Sequence, residues 1–167
     1  VTEELRPGIL KLDGEYLHGD VLRRLEIREF RYAMDKTFMN FVEAETHLGT
    51  HVEAPSHYFR DGKSVAELPL EIFIGEALVL GFNHKGGMGK PQPILAEDLE
   101  GVRRGDIVLL WSTLPPKEEP YLSPEGAVFL QGRGIKMIGF QRVSPEAPGS
   151  MASHEASVSY THLTLPT

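Results

Sequence analysis

The stretch His-Leu-Gly-Thr-His-Val-Glu-Ala-Pro-Ser-His, residues 47–57, constrains this chain more than any other. Three of the seven histidines and one carboxylate fall within it. His47 and His51 stand at i and i+4, which on a helix would share one face. Gly49, β-branched Thr50 and Pro55 make poor helix material. The segment therefore predicts an extended strand running into a tight loop. In a strand, His51 and Glu53 at i and i+2 point the same way. His47 and His57 can then close in from either side. Neutral imidazole and carboxylate are ligands for Zn²⁺, Mn²⁺ or Fe²⁺. The chain has no cysteine, which excludes a Cys-rich structural zinc site. A catalytic site with open coordination positions is the remaining reading. Glu53 would supply the anionic ligand. His57 is the spare imidazole, a group suited to proton transfer near neutral pH. One isolated histidine would pass as a surface residue; a cluster at this spacing does not.

The remaining 156 or so positions must supply a scaffold, and the composition says which kind. A length of 167 residues predicts one domain with a core of useful size. Hydrophobic content of 41% and charged content of 25% are ordinary for a globular protein. A net charge of −7 argues against nucleic acid and anionic membranes as partners. No apolar run reaches the length of a membrane-spanning helix. Without cysteine there are no disulfides, which fits a cytoplasmic location.

Along the chain, strands and helices mix. Residues 25–32 partly alternate and predict a strand. Residues 37–46 are rich in Phe, Val and Thr and predict a second, which delivers the histidine segment. Asp61-Gly62 reads as a turn. Residues 77–80 are a continuous apolar run and predict a buried strand, as do residues 107–111. Leu95, Leu99 and Val102 at i, i+4 and i+7 predict an amphipathic helix. Residues 114–120, rich in Pro and Glu, form a loop where a substrate lid could sit. Ser123 followed by Pro124 predicts a helix start, with its end near Gly132 or Gly134. Residues 135–140 predict the next strand. The strand–helix–strand order predicts locally parallel pairing. The result is an α/β domain with a mixed sheet, without internal repeats.

Several other residues have simpler readings. His18 and His84 sit in Gly-containing loops. Gly86-Gly-Met-Gly89 lacks the Lys-Ser/Thr ending of a phosphate cradle. Arg103-Arg104 reads as a solvated helix end. Ser112 and Thr113 follow a strand without a nucleophile elbow. Trp111 reads as core. Phe59 could line a pocket, and Tyr58 packs beside it. Thr50 could orient the loop through its hydroxyl.

Residues 47–57 closely resemble the signature His-x-Gly-Thr-His-x-Asp-x-Pro-x-His of the cyclase family of metal-dependent hydrolases, with Glu53 where Asp is usual. Bacterial kynurenine formamidases and isatin hydrolases are members. Residues 61–70, 105–110 and 135–140 are similar to the family as well. The resemblance runs from about Thr2 to about Ala156. It implies a compact β/β/α, swivelling-type, cyclase-like domain over residues 1–157. It implies that His47, His51 and Glu53 bind a first metal and that His57 is the catalytic acid/base. Family members with two metals use a distant histidine, which His154 resembles, and a Glu about a dozen residues beyond it. That Glu has no counterpart here. The extra methylene of Glu53 shifts its carboxylate by roughly 1.5 Å, so one-ion ligation carries over more readily than bridging. The implied cofactors are Zn²⁺ or Mn²⁺, one or two ions, and the implied assembly is a homo-oligomer. Residues 158–167 resemble translated adapter read-through and are read as a non-native tail, outside the fold argument. The start at Val1, without Met, reads as a loss of a few residues.

The implied activity is hydrolysis of an amide, formamide or cyclic amide/ester bond by metal-activated water, with arylformamidase chemistry (N-formylkynurenine to kynurenine and formate) as the best-known case. The alternative is a catalytically incomplete metal-binding protein or fragment. A cupin-like oxygenase also clusters His and Glu, but its antiparallel barrel leaves no place for the helices expected here.

Overall fold

The structure is a computed structural model. It describes residues 8–10, 23–44, 46, 49–150 and 161–164. His18, His47 and His154 lie outside the described residues, as does most of the segment 158–167. The chain groups into two compact units, Val1–His51 and Val52–Thr167.

The first unit holds an antiparallel sheet of three strands, β1 (Gly8–Leu10), β2 (Arg23–Arg31) and β3 (Phe38–Ala44), in that order. β2 and β3 pair from Leu25↔Ala44 to Arg31↔Phe38. The turn between them closes through the Tyr32 N–H donating to the Thr37 carbonyl at 2.9 Å. Asp35 Oδ1 accepts from both the backbone N–H and the hydroxyl of Thr37, at 2.9 and 2.6 Å. Those two bonds hold the Asp35 carboxyl below its usual range. Both predicted strands are present, and every side chain of β3 is exposed.

The second unit is built on parallel pairing. β4 (His51–Glu53), β5 (Ala77–Gly81), β7 (Ile107–Trp111), β9 (Met137–Gln141) and β10 (Thr161–Thr164) make a five-stranded sheet in the order β4-β10-β9-β7-β5. The pairs β5–β7, β7–β9 and β9–β10 are all parallel. A small parallel pair joins β6 (Pro93–Ile94) to β8 (Tyr121–Leu122). β10 falls within the segment read as a tail, and it takes a strand position beside β9.

Helix α1 (Pro124–Arg133) follows the predicted chemistry at both ends. Ser123 Oγ accepts from the Gly126 N–H at 3.0 Å, Pro124 opens the first turn, and Gly134 closes it in the left-handed region at φ 67°. Its buried face, with Ala127 and Leu130, joins Phe82, Ile94, Leu99, Val108, Leu110, Ile138 and Phe140 in one apolar core. No helix among the described residues is long and apolar enough to cross a membrane.

Three expectations are corrected. The helix predicted over Leu95, Leu99 and Val102 is a single 3₁₀ turn, Ala96–Leu99. Leu99 and Val102 are buried as predicted. However, Asp98 folds back to accept from the Leu95 N–H at 2.8 Å and pairs with Lys85 Nζ at 2.6 Å, which ties the turn short. β5 is not a fully buried strand: it is an edge, and Val79 points outward at 56% exposure while Leu78 and Leu80 pack on the core. Trp111 is half-buried, its indole lying against Gly81.

Candidate active site

The segment expected to carry chemistry turns through Gly49, which sits in the left-handed region at φ 60°. Only glycine adopts that conformation without strain from a Cβ. The chain then enters β4, so residues 51–53 are extended, as predicted, and His51 and Glu53 share one face of the strand.

The His51 ring is oriented by its own backbone. Nδ1–H donates to the Gly49 carbonyl oxygen at 2.8 Å. A carbonyl can only accept, so Nδ1 carries a proton, and in the neutral ring the lone pair is then on Nε2. This arrangement, with one ring nitrogen bound to a carbonyl and the other presenting its lone pair, is the one metal-ligating histidines use. Glu53 is 9% exposed and is the one buried ionisable side chain among the described residues. A buried carboxylate persists only when hydrogen-bonded, paired or bound to a cation. An imidazole and a carboxylate are, by their chemistry, donors that fit a divalent ion.

His57 lies at the end of a 3₁₀ turn, Pro55–His57, directly after β4. Proline starts the turn, and the His57 N–H donates to the Ala54 carbonyl at 2.8 Å. The loop returns over it: Ser56 N–H donates to the Lys63 carbonyl at 3.1 Å, and Gly62 N–H to the Phe59 carbonyl at 2.8 Å. Gly62 is required by close approach, because a Cβ there would sit 2.6 Å from the Pro55 carbonyl carbon. The His57 imidazole is exposed, beside Tyr58 and Phe59 in the chain, whose rings meet edge to face at 5.1 Å. Along the segment, burial falls from Glu53 (buried) to Pro55 (half-buried) to His57 (exposed).

Among the described residues, no group of three His, Cys, Asp or Glu side chains is placed to hold an ion. His51, Glu53 and His57 thus do not make a three-ligand site by themselves. His47 and His154, the other two expected ligands, lie outside the described residues.

The Thr50 hydroxyl, expected to orient the loop, is buried and makes no hydrogen bond in this structure. The bond from Gly49 to the His51 ring takes that orienting role.

Elsewhere, the Gly86–Gly89 loop is no anion cradle, because the Gly87 N–H already donates to Glu118 Oε2 at 2.6 Å. The loop 114–120 is fastened rather than free to act as a lid. Arg142 Nη1 donates to the Leu114 carbonyl at 3.4 Å, and Ser144 N–H donates to the Pro120 carbonyl at 2.8 Å. Asn83, which gave no signal in the sequence, is a junction: its Oδ1 accepts from Thr113 N–H at 2.8 Å and from both the Ser112 and Thr113 hydroxyls. Ser112 and Thr113 are therefore structural. Arg142 gave no sequence signal, since its left-handed φ of 50° is not written in its residue type.

The sequence model of the Cyclase family matches residues 9–147. This chain belongs to the cyclase family. Curated relatives include a kynurenine formamidase of Geobacillus thermodenitrificans, 35% identical over 120 residues, covering 68% of this chain and 56% of the relative. Another, from Erythrobacter litoralis, is 32% identical over 167 residues, covering 93% of this chain and 71% of the relative. The chain spans about half the length of several of the curated Bacillus relatives it matches, 54% in the case of Bacillus cereus. Solved structures of similar fold include an isatin hydrolase bound to thioisatinate, with a TM-score of 0.73 at 16% identity, covering 98% of this chain and 76% of that one. A predicted metal-dependent hydrolase from Bacillus stearothermophilus gives a TM-score of 0.69 at 16% identity, covering 98% and 79%. These likenesses bear out the α/β class read from the sequence, and they place the cyclase-family chain in that fold.

Proposed function

We propose that this cyclase-family protein is a metal-dependent hydrolase of amide, formamide or cyclic amide/ester bonds, with arylformamidase activity as the first candidate. The observation that carries the reading is local. A buried carboxylate, Glu53, lies two residues along a strand from His51, whose tautomer is fixed by the Gly49 carbonyl. The relatives named kynurenine formamidase and the structural likeness to an isatin hydrolase support the same reaction class.

His47, His51 and Glu53 would hold the ion, Zn²⁺ or Mn²⁺, with His154 available to a second. When bound, such an ion supplies Lewis acidity: it polarises a carbonyl and lowers the pKa of water towards about 7. The chain's own groups do the rest. The bond between His51 Nδ1 and the Gly49 carbonyl holds the ring in its ligating tautomer, so no reorientation accompanies the reaction. Burial of Glu53 keeps competing water away from its carboxylate. His57, at the exposed end of the segment, accepts a proton from the attacking water and returns it to the leaving nitrogen or oxygen. Its exposure lets that proton exchange with solvent between turnovers. A small-molecule substrate and homo-oligomeric assembly belong to the same reading and rest on the family resemblance; a cytoplasmic location rests on the absence of cysteine.

The test is a panel of N-formyl aromatic amines, cyclic amides and lactones, offered to protein loaded with Zn²⁺ or with Mn²⁺. The expected result is hydrolysis of at least one class, lost by more than about 100-fold in Glu53→Gln, beyond the 10–100-fold that outer partners of metal ligands command. Metal-loaded protein that turns over none of the panel would contradict the proposal.

A further inference from the structure

The Thr50 hydroxyl is an anomaly. Among the described residues it is the one buried side-chain polar atom without a hydrogen-bond partner. Buried hydroxyls are almost always bonded, because an unpaired one has given up water for nothing. The exceptions call for an explanation in strain, in function or in a bound water or ion. Valine would fill the same space without that cost, so a threonine here needs a partner in some state of the protein.

The burial restricts what the partner can be. Oγ1 has under 1 Å² of accessible surface, so neither bulk water nor a substrate reaches it. A buried acceptor close to the segment is the partner this position favours. Thr50 is joined directly to His51, about 3.8 Å from Cα to Cα. It follows Gly49, whose carbonyl is taken up by the His51 ring. Groups that ligate an ion are themselves usually hydrogen-bonded by a surrounding shell of donors, which fixes their direction. A threonine hydroxyl can supply such a donor after a single rotation about its Cα–Cβ bond.

We propose that Thr50 is a positioning residue of the ion site: its hydroxyl donates to an acceptor on the ligand-bearing segment when the ion is bound, and stays unpaired when it is not. The inference rests on the metal-site reading above. It adds a residue that makes occupancy of the site cooperative with the local structure.

The experiment compares wild type, Thr50→Val and Thr50→Ser, each stripped of metal and then titrated with Zn²⁺ alone and Mn²⁺ alone. Affinity is read by competition with a chelating indicator, and thermal melting is followed with and without the ion. The expected result has two opposite signs. Thr50→Val without metal melts no lower than wild type, since it removes a group with no partner. Its metal affinity falls by about 10-fold or more, the size of effect that loss of a ligand's hydrogen-bond partner produces, and its gain in melting temperature on loading shrinks. Thr50→Ser, which keeps the hydroxyl, restores the affinity. Thr50→Val that binds metal within about twofold of wild type overturns the proposal. So does a Thr50→Val that melts well below wild type without metal, or fails to fold, while Thr50→Ser does not, because the hydroxyl would then have a partner in the metal-free state. Thr50→Ser that loses affinity as Thr50→Val does assigns the effect to the methyl group and overturns it too. Wild type that takes up neither ion is a separate outcome: it removes the metal-site reading itself, and this inference with it.

Discussion

Glu119 shows how a single carboxylate can work against the fold that holds it. It ends the 3₁₀ turn that follows Pro115, half-buried, with the Arg142 charge close enough to be felt. Burial pushes its carboxyl above the usual range, and the Arg142 charge only partly offsets that. A carboxyl with a raised folded-state pKa binds its proton more tightly when folded than when unfolded. Its contribution to stability is therefore present below about pH 4.5, the unfolded value, and is lost as pH rises through the folded pKa. Glu119→Gln should melt like wild type near pH 4 and above it at pH 7. Melting curves at the two pH values check this; equal differences at both would show that Glu119 does not titrate as its surroundings imply. Glu67 has the opposite sign. Its carboxylate accepts from the Ser64 N–H and hydroxyl, both at 2.8 Å, so its pKa is lowered and its contribution is lost only as pH falls below the usual range. These shifts were illegible in the sequence, where Glu67 and Glu119 look alike. What separates them is which donors the folded backbone brings within reach.

At the scale of elements, the candidate site is a strand, a one-turn helix and a returning loop. The strand was legible: Gly49, Thr50 and Pro55 exclude a helix, and alternation then puts His51 and Glu53 on one face. The turn was legible in part, because Pro55 can open a helix but its length of three residues depends on tertiary contacts. The helix expected over residues 95–102 went wrong for the same reason. Its apolar spacing reports burial of Leu99 and Val102 correctly, but burial at that spacing does not require a continuous helix when Asp98 is tied to Leu95 and Lys85. Gly62 is the point where the element is most exposed to change. An alanine there would bring its Cβ within 2.6–2.8 Å of the Pro55 carbonyl group and the Ser56 nitrogen, all backbone that cannot move aside easily. Gly62→Ala should destabilise the protein by about 1–3 kcal/mol, the usual cost of overpacking. It should also slow hydrolysis through displacement of His57, while metal binding at His51 and Glu53 persists. A denaturant titration and a parallel metal assay check both halves; unchanged stability would mean the loop yields more easily than its hydrogen bonds suggest.

For the whole molecule, the class of fold followed from composition and strand spacing, and the parallel pairing of β7 with β9 across α1 followed from the strand–helix–strand order. What did not follow was sheet order. Nothing in residues 77–80 distinguishes an edge from a centre, yet that position decides whether Val79 is buried or, as found, exposed. Nor does local pattern announce that Thr161–Thr164 takes the place beside β9. The candidate residues could be named from the sequence because ligand chemistry is written in side-chain type, and His51, Glu53 and His57 are those among them that the structure describes. Their burial gradient, the tautomer of His51 and the unpaired Thr50 hydroxyl were not legible, because each depends on where the backbone turns.

On the proposed function, the segment around His51 and Glu53 holds a metal ion. Elemental analysis of freshly purified protein, beside a His51→Ala variant shown to be folded, tests it most directly. The prediction is about one equivalent or more of Zn or Mn in the wild type, lost in the variant. Folded wild-type protein that carries no metal, and takes up none when Zn²⁺ or Mn²⁺ is supplied, would contradict the account.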